Sequence, residues 1–319
     1  MAGLRVGERT VEITHPDKVL FPDDGITKLE LAEHYAAVAE RMLPHVAGRP
    51  ANLQRFPSGI GRPGFMQQEL PGSAPDWIPA VTVPRLGGGE VRHAVLDDAA
   101  ALVWAANQNA ITPHVWLARA GDLEHPDQLM FDLDPPGADD PRVRHATLRL
   151  GALLAELGLP SFVKTSGSRG YHVVVPLDAS AGFDTVRAFA EDVGTLLARH
   201  HARHLTTEMR KAARRGRILV DTLRNTYAHT AVAAYAVRAR QGAPVACPVP
   251  WSELEDPAMR PDRYRLRDLA RMLEGREDPW RDLARRATGL TAARARLDAL
   301  LAESRPSRRA AGRRLRARH

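Results

Sequence analysis

Residues 128–140 read QLMFDLDPPGADD, an apolar run carrying two aspartates one residue apart and ending in two prolines. The run predicts a strand, because side chains two apart on an extended chain share a face. Asp132 and Asp134 then point one way while Phe131 and Leu133 pack behind them. Two neighbouring carboxylates repel each other. A divalent cation is the simplest partner that holds both, and Pro135 ends the strand so that the pair sits at an open sheet end. Taken alone, the pattern also fits an ordinary strand running into an acidic turn.

Working outward, the chain alternates helices with strands. TKLE at residues 27–30 is a capping box, Thr27 with Glu30, opening a helix whose apolar positions Leu31, Tyr35, Val38, Met42 and Val46 keep the helical period. Pro44 and Gly48 are expected to close it. Residues 51–93 are rich in Gly and Pro and predict short strands and loops, followed by a helix from Asp98 to Asn109. Beyond the opening stretch come a helix over 142–157 stopped by Gly158, strands in SFVKT and YHVVVPL, and a helix over 184–203 capped by Asp184. GRILVDTL and TAVAAYAVRAR supply the remaining sheet-forming runs. From about residue 250 the chain turns helical and arginine-rich.

With 319 residues and 44% hydrophobic content, the chain can bury a sizeable core as one large domain or two joined lobes. No apolar run reaches the roughly 20 residues of a membrane helix, and the N-terminus lacks the apolar centre of a secretory signal. A cytoplasmic protein without membrane contact is expected. The single cysteine, Cys247, makes neither an intrachain disulfide nor a cysteine-based zinc site. The net charge of +7 suggests a nucleic-acid binder until it is located: the seven arginines between Ser304 and His319 account for all of it. The body is charge-balanced, and residues 304–319 read as a basic, disordered tail suited to weak, salt-sensitive contact with polyanions.

Three further stretches belong with the acids. KTSGSRGYHVVVPL, residues 164–177, sets a Gly-containing polar loop between two strands, where backbone N–H groups can face phosphate oxygens, and His172 follows on the second strand. RILVDTLRN brings a third strand-borne acid, Asp221, after a largely apolar run, and such an acid is costly unless something compensates it. AVRAR places Arg238 and Arg240 two apart, hence on one face if extended, suited to gripping a polyphosphate. Together these are the requirements of metal-dependent nucleotidyl transfer.

On these motifs the sequence resembles the polymerase domain of the bacterial DNA ligase D family, a branch of the archaeo-eukaryotic primase superfamily that serves non-homologous end joining. The likeness runs from HPDKVLFP near residue 15 to about residue 290 and includes DLD (Asp132, Asp134), SGSRGYH (Ser166 to His172) and VDTLRN (Asp221). It implies an α+β primase-polymerase fold over residues 1–303. An N-terminal α/β lobe and a C-terminal lobe with an RRM-like sheet would flank an active-site cleft, with an interwoven boundary near 115–130.

The resemblance also implies roles. Asp132, Asp134 and Asp221 would bind two divalent cations, manganese or magnesium, while Ser166, Arg169, His172, Arg238, Arg240 and Arg224 hold the triphosphate. Lys18 and Lys28 match positions that bind the 5′-phosphate at a break or gap, and Lys28 lies in the first turn of a helix, which favours an anion. Arg55 in LQRFPSG is a further backbone contact, and His114 falls where the family has a histidine near the site. In GFMQQELPG, Phe65 takes the place of a base-stacking aromatic, but Met66 and Gln68 depart from the family's usual aromatic and lysine and offer a softer platform. The implied activity is extension of 3′ ends at gaps or breaks, with ribonucleotides preferred. DNA ends with a 5′-phosphate, nucleoside triphosphates, the Ku protein and a separate ligase are the implied partners, in the bacterial cytoplasm with the nucleoid. No ligase or phosphoesterase motif is present, so sealing would come from another protein.

Rival readings are a catalytically silent DNA-end-binding module, a DxD nucleotide-sugar glycosyltransferase and a metal-dependent nuclease. The first need not keep three acids, the second leaves Lys18, Lys28 and Asp221 unexplained, and the third has less use for Arg238 and Arg240.

Overall fold

The strand expected in the opening stretch is present over Gln128–Asp134 and lies in the interior of a six-stranded sheet. The structure, a computed structural model, describes residues 1–85, 88–137 and 140–304, so all of the basic tail except Ser304 lies outside the described residues. Two short hairpins, β1 (Ala2–Val6) with β2 (Arg9–Ile13) and β3 (Val19–Phe21) with β4 (Ile26–Thr27), precede α1 (Lys28–Val46). Next come β5 (Pro50–Arg55), β6 (Phe65–Gln67), β7 (Ala80–Pro84), β8 (Glu90–Val95), α2 (Ala99–Asn107) and β9 (Ala110–Trp116). The chain then runs through β10 (Gln128–Asp134), α3 (Arg142–Glu156), β11 (Phe162–Thr165), β12 (Tyr171–Pro176), α4 (Phe183–His200), β13 (Leu205–Thr206) and β14 (Ile218–Asp221). It ends with β15 (Thr230–Val232), β16 (Pro248–Val249), α5 (Leu266–Leu273) and α6 (Thr291–Glu303).

Two six-stranded sheets divide β5 to β16 between them. The first runs β15-β9-β5-β8-β7 with β6 paired to β5, and the second runs β13-β14-β10-β12-β11-β16. Within the second sheet, β10-α3-β11-β12-α4-β14 is the β-α-β-β-α-β order of a ferredoxin-like or RRM-like unit. Its helices cover one face: Leu150 and Leu154 of α3 and Phe189 and Val193 of α4 are buried in one core with Phe131, Leu133 and Val173. By alternation, Asp132 and His172 face the other side. The chain passes between the sheets over residues 117–127 and returns with β15, so the two lobes interleave.

The helix boundaries follow the sequence closely. Thr27 and Glu30 close both bonds of the capping box, and Asp98 caps α2 by accepting from Ala101 N–H. Pro44 does not end α1. It sits inside the last turn, where it removes a single rung, and the Ala47 N–H still reaches Leu43. Helix α4 is capped at Gly182, whose carbonyl takes the Val186 N–H, and Asp184 instead lies in the first turn, where its charge complements the helix dipole.

One expected strand is corrected. TAVAAYAVRAR is extended only over Thr230–Val232, and it joins the first sheet. The chain then turns, with Tyr235 at φ 63°, a left-handed conformation no strand accommodates. Its backbone bonds go to Ala246, and Arg238 N–H goes to Pro244. Arg240 N–H bonds to Arg238 C=O in a tight turn, so the two arginines diverge rather than share a face: Arg238 is half-buried and Arg240 exposed. Helix α1 holds this segment in place, since Tyr35 Oη accepts from Val237 N–H while His34 Nε2 lies 3.1 Å from Tyr235 C=O.

Arg49 ties the lobes at the crossover. It is 1% exposed, grips Asp127 through two contacts of 2.6 and 2.7 Å, and donates to the carbonyls of His45 and Trp116. Arg49→Met strands the Asp127 carboxylate against Arg119 alone and is expected to cost about 3–5 kcal/mol. Urea denaturation followed by intrinsic fluorescence reads the loss, and an unchanged midpoint would refute this role.

Candidate active site

Strand pairing puts the chemistry in one row. Asp132 on β10 stands opposite Asp221 on β14 and opposite His172 on β12, and His172 stands opposite Lys164 on β11. Residues directly opposite in antiparallel strands share a face, so Asp221, Asp132, His172 and Lys164 form a line across four neighbouring strands. Asn225, from the VDTLRN motif, locks this register. Its fully buried amide accepts from Met130 N–H and donates to Met130 C=O and Thr222 C=O, pinning the turn after Asp221 to β10.

Lys164 and His172 of the row are buried, and Asp132 and Asp221 are half-buried. Burial pushes the Asp132 carboxyl up to about 6; Arg224 opposes this, while Asp221 and Asp134 reinforce it. Asp221 Oδ1 accepts from Leu223 N–H at 2.8 Å. The Asp134 carboxylate lies between two guanidinium groups, 3.2 Å from Arg169 and 3.3 Å from Arg214. His172 Nε2 is 3.6 Å from Asp132 Oδ1, and its Nδ1 is 2.8 Å from the Lys164 ammonium, which also donates to Val232 C=O at 2.9 Å. Burial lowers Lys164 to about 7, helped by Arg238, and holds His172 well below the usual histidine range.

The other expected residues fall into two groups. Arg224, Arg238 and His114 lie close enough to Asp132, Lys164 and His172 to act on them electrostatically. His114 is lowered to about 3 by burial and by Arg238, Arg224 and Lys164, and its Nε2 is buried without a hydrogen-bond partner among the described residues. This histidine therefore stands on the side of the acids, beside Arg238, Arg224 and Lys164. Ser166 turns inward: its Oγ accepts from the N–H groups of Ser168 and Gly170, and its carbonyl takes a bond from Arg238. Two of the loop's backbone N–H groups are thus engaged within the loop rather than facing outward.

Lys18, Lys28 and Arg55 make a second cluster. Lys28 is lowered by burial and then by the nearby charges of Lys18 and Arg55. It is less exposed than a first-turn lysine on a surface helix would be, with its ammonium against Asn107 C=O and Thr14 Oγ1. Lys18 donates to Pro57 C=O. Arg55 donates to Gln108 C=O and lies 5.6 Å from the centre of the Phe65 ring. Phe65 and Met66 are both exposed, which places the expected stacking platform beside this cluster.

Sequence reasoning gave no role to Lys164 or Arg214. Lys164 carried a usable signal, a scarce lysine inside an apolar strand two residues before the Gly loop. Arg214 carried none, because only a short 3-10 turn over Lys211–Arg214 brings it to Asp134.

Acids in register on the open face of an RRM-like sheet, ringed by the buried Lys164 and half-buried arginines, define a nucleotidyltransferase type of site. The sequence matches the family described as LigD, primase-polymerase domain, over residues 27–280, and the chain belongs to that family. It is 37% identical over 266 residues to the multifunctional non-homologous end joining DNA repair protein LigD of Mycobacterium tuberculosis, a match covering 81% of this chain and 35% of that protein. The LigD protein of Pseudomonas aeruginosa is 38% identical over 285 residues, covering 88% of this chain and 34% of that protein. The chain thus spans about a third of the length of these relatives. Among solved structures, the polymerase domain of M. tuberculosis ligase D in complex with DNA superposes with a TM-score of 0.80 at 34% identity, covering 87% of this chain and 99% of that one. Membership sets aside the glycosyltransferase reading. Lys18 lies before the matched span. Among the described residues, no helix is long and apolar enough to cross a membrane.

Proposed function

We propose that the protein adds nucleotides, ribonucleotides preferentially, to the 3′ end of a primer strand at gaps or broken DNA ends, in non-homologous end joining. Ku and a ligase acting in trans are its proposed partners, and divalent cations its cofactors. The observation that carries this reading is the pairing of Asp132 with Asp221 on adjacent strands, faced by Arg224, Arg238, His172 and Lys164. A carboxylate group with cations opposite suits a site where a negatively charged triphosphate must approach acids without being repelled.

Asp132, Asp134 and Asp221 offer the hard oxygen donors that manganese and magnesium take, and the raised Asp132 carboxyl marks a place where added positive charge relieves burial and repulsion. Among the described residues, no three such side chains already stand around a common point. Asp134 has both oxygens on Arg169 and Arg214 and must turn from them to join the others. Bound cations would supply the charge that acidifies the primer 3′-hydroxyl and neutralises the departing pyrophosphate. The chain's own part is positional: Arg224, Arg238 and His172 orient the phosphates, with Arg240 at the outer edge, and the Phe65 ring stacks on a base.

Incubation of the protein with a labelled gapped duplex bearing a 5′-phosphate, manganese and either ribo- or deoxynucleotides tests the reading. Extension supports it, shortening indicates a nuclease, and a mobility shift without a change in length indicates a binding module. In the second cluster, Lys18→Ala is expected to weaken binding to the 5′-phosphorylated gap about three- to tenfold and to lower the salt dependence by about one ion. Anisotropy titrations at several salt concentrations measure both. An unchanged slope would remove Lys18 from the interface.

A further inference from the structure

We propose that Lys164 is a positioning residue for nucleotide transfer: it fixes the His172 ring in the tautomer that turns an N–H, not a lone pair, toward Asp132 and the incoming phosphates. The phosphate part of this inference rests on the functional reading above. Lys164 is 1% exposed and His172 5%, so water does not compete for either group. Among the described residues, Lys164 Nζ has two hydrogen-bond partners, Val232 C=O at 2.9 Å and His172 Nδ1 at 2.8 Å. The carbonyl only accepts. The ammonium has no lone pair, so the charged lysine can only donate and Nδ1 receives its hydrogen; a neutral amine, with two hydrogens, can serve both neighbours in the same way. The remaining ring proton then sits on Nε2, which faces Asp132 Oδ1 at 3.6 Å. An acceptor on that side favours the same tautomer.

Two consequences follow. The Nε2 atom is committed as a donor, so His172 serves a phosphate oxygen and not a cation. Val232 belongs to β15 of the first sheet, while Lys164 and His172 belong to the second, so one side chain also couples the ring to the opposite lobe. Burying a lysine with no acid at bonding distance among the described residues is costly, and holding the histidine ring in one orientation and tautomer gives that cost a function.

Long-range proton–nitrogen spectra of the full chain labelled at histidine nitrogen, with His172→Asn to identify the signal, test the tautomer directly. The parent is expected to show Nε2–H, and Lys164→Met to shift the ring toward Nδ1–H. In gap filling, Lys164→Met is expected to raise KM for the nucleotide about tenfold with kcat nearly unchanged, and to add nothing in the His172→Asn background. Lys164→Arg, which keeps a donor, should recover the tautomer. Nδ1–H in an active parent, a Lys164→Met variant with the parent's tautomer and KM, or independent effects of the two substitutions would overturn the role of Lys164. If Lys164→Met fails to fold, a scalar coupling across the hydrogen bond between labelled Lys164 Nζ and His172 Nδ1 in the parent decides: its presence with Nε2–H supports the role, and its absence overturns it. A parent that extends no primer overturns the functional reading and the phosphate role with it, whatever the tautomer.

Discussion

Asp132→Asn is expected to lower nucleotide addition on the order of 10³-fold or more while leaving the protein folded. The substitution keeps the shape of the side chain and removes its charge at the centre of the row, between Asp221 and His172. Stability should move the opposite way. The folded-state carboxyl is raised to about 6 from an ordinary value of 3.8, so the folded protein binds this proton more tightly than the unfolded chain does. The parent is therefore destabilised as pH rises from about 4 to about 6, and the full penalty persists above that window. Asp132→Asn removes it. The variant should match the parent near pH 4 and exceed it by about 1–3 kcal/mol at pH 8 without metal. Manganese at pH 8 should then raise the unfolding midpoint of the parent and not of the variant, since a ligand stabilises only the state that binds it. A variant that polymerises as fast as the parent would defeat the proposed function, and a parent indifferent to manganese would defeat the metal assignment.

Gly170→Ala carries the second large effect, by a purely steric route. A Cβ at residue 170 would lie 1.8 Å from Leu133 O and 3.0 Å from Leu133 C. Leu133 sits between Asp132 and Asp134 and pairs with Tyr171, so the methyl can fit only if β10 and β12 part at the site itself. Strand interiors are too densely packed to absorb such a shift. A cost of about 2–4 kcal/mol is expected, with activity falling on the order of 10²-fold as Asp132 and His172 lose register. Gly121→Ala, where an added Cβ meets nothing within 4 Å, is the matched control and should change neither quantity. Urea denaturation and gap filling on the same preparations read both. Parent-like stability and rate in Gly170→Ala would show that the strands have room to give.

Much of this arrangement was legible in the sequence. The DLD spacing fixed the shared face of Asp132 and Asp134, the apolar runs located β10, β11, β12 and β14, and TKLE marked the start of α1 to the residue. These features are local, set by a two-residue strand period or by a cap that closes over three positions. Turn-borne residues escaped the same logic. Arg238 and Arg240 looked paired only while AVRAR was taken as extended, and contacts with Ala246, Pro244 and α1 bent it instead.

By itself, then, the sequence determined the strands that carry the site, β10, β11, β12 and β14, the shared face of Asp132 and Asp134, and the family to which the motifs belong. Tertiary structure alone decided that Asp132 meets Asp221 and His172 across strands far apart in the chain, that Lys164 stands behind His172, and that Arg214 reaches Asp134. The physical reason is that strand register and burial are cooperative properties of the packed sheet. A charge's partner and its proton affinity depend on neighbours that no local period encodes.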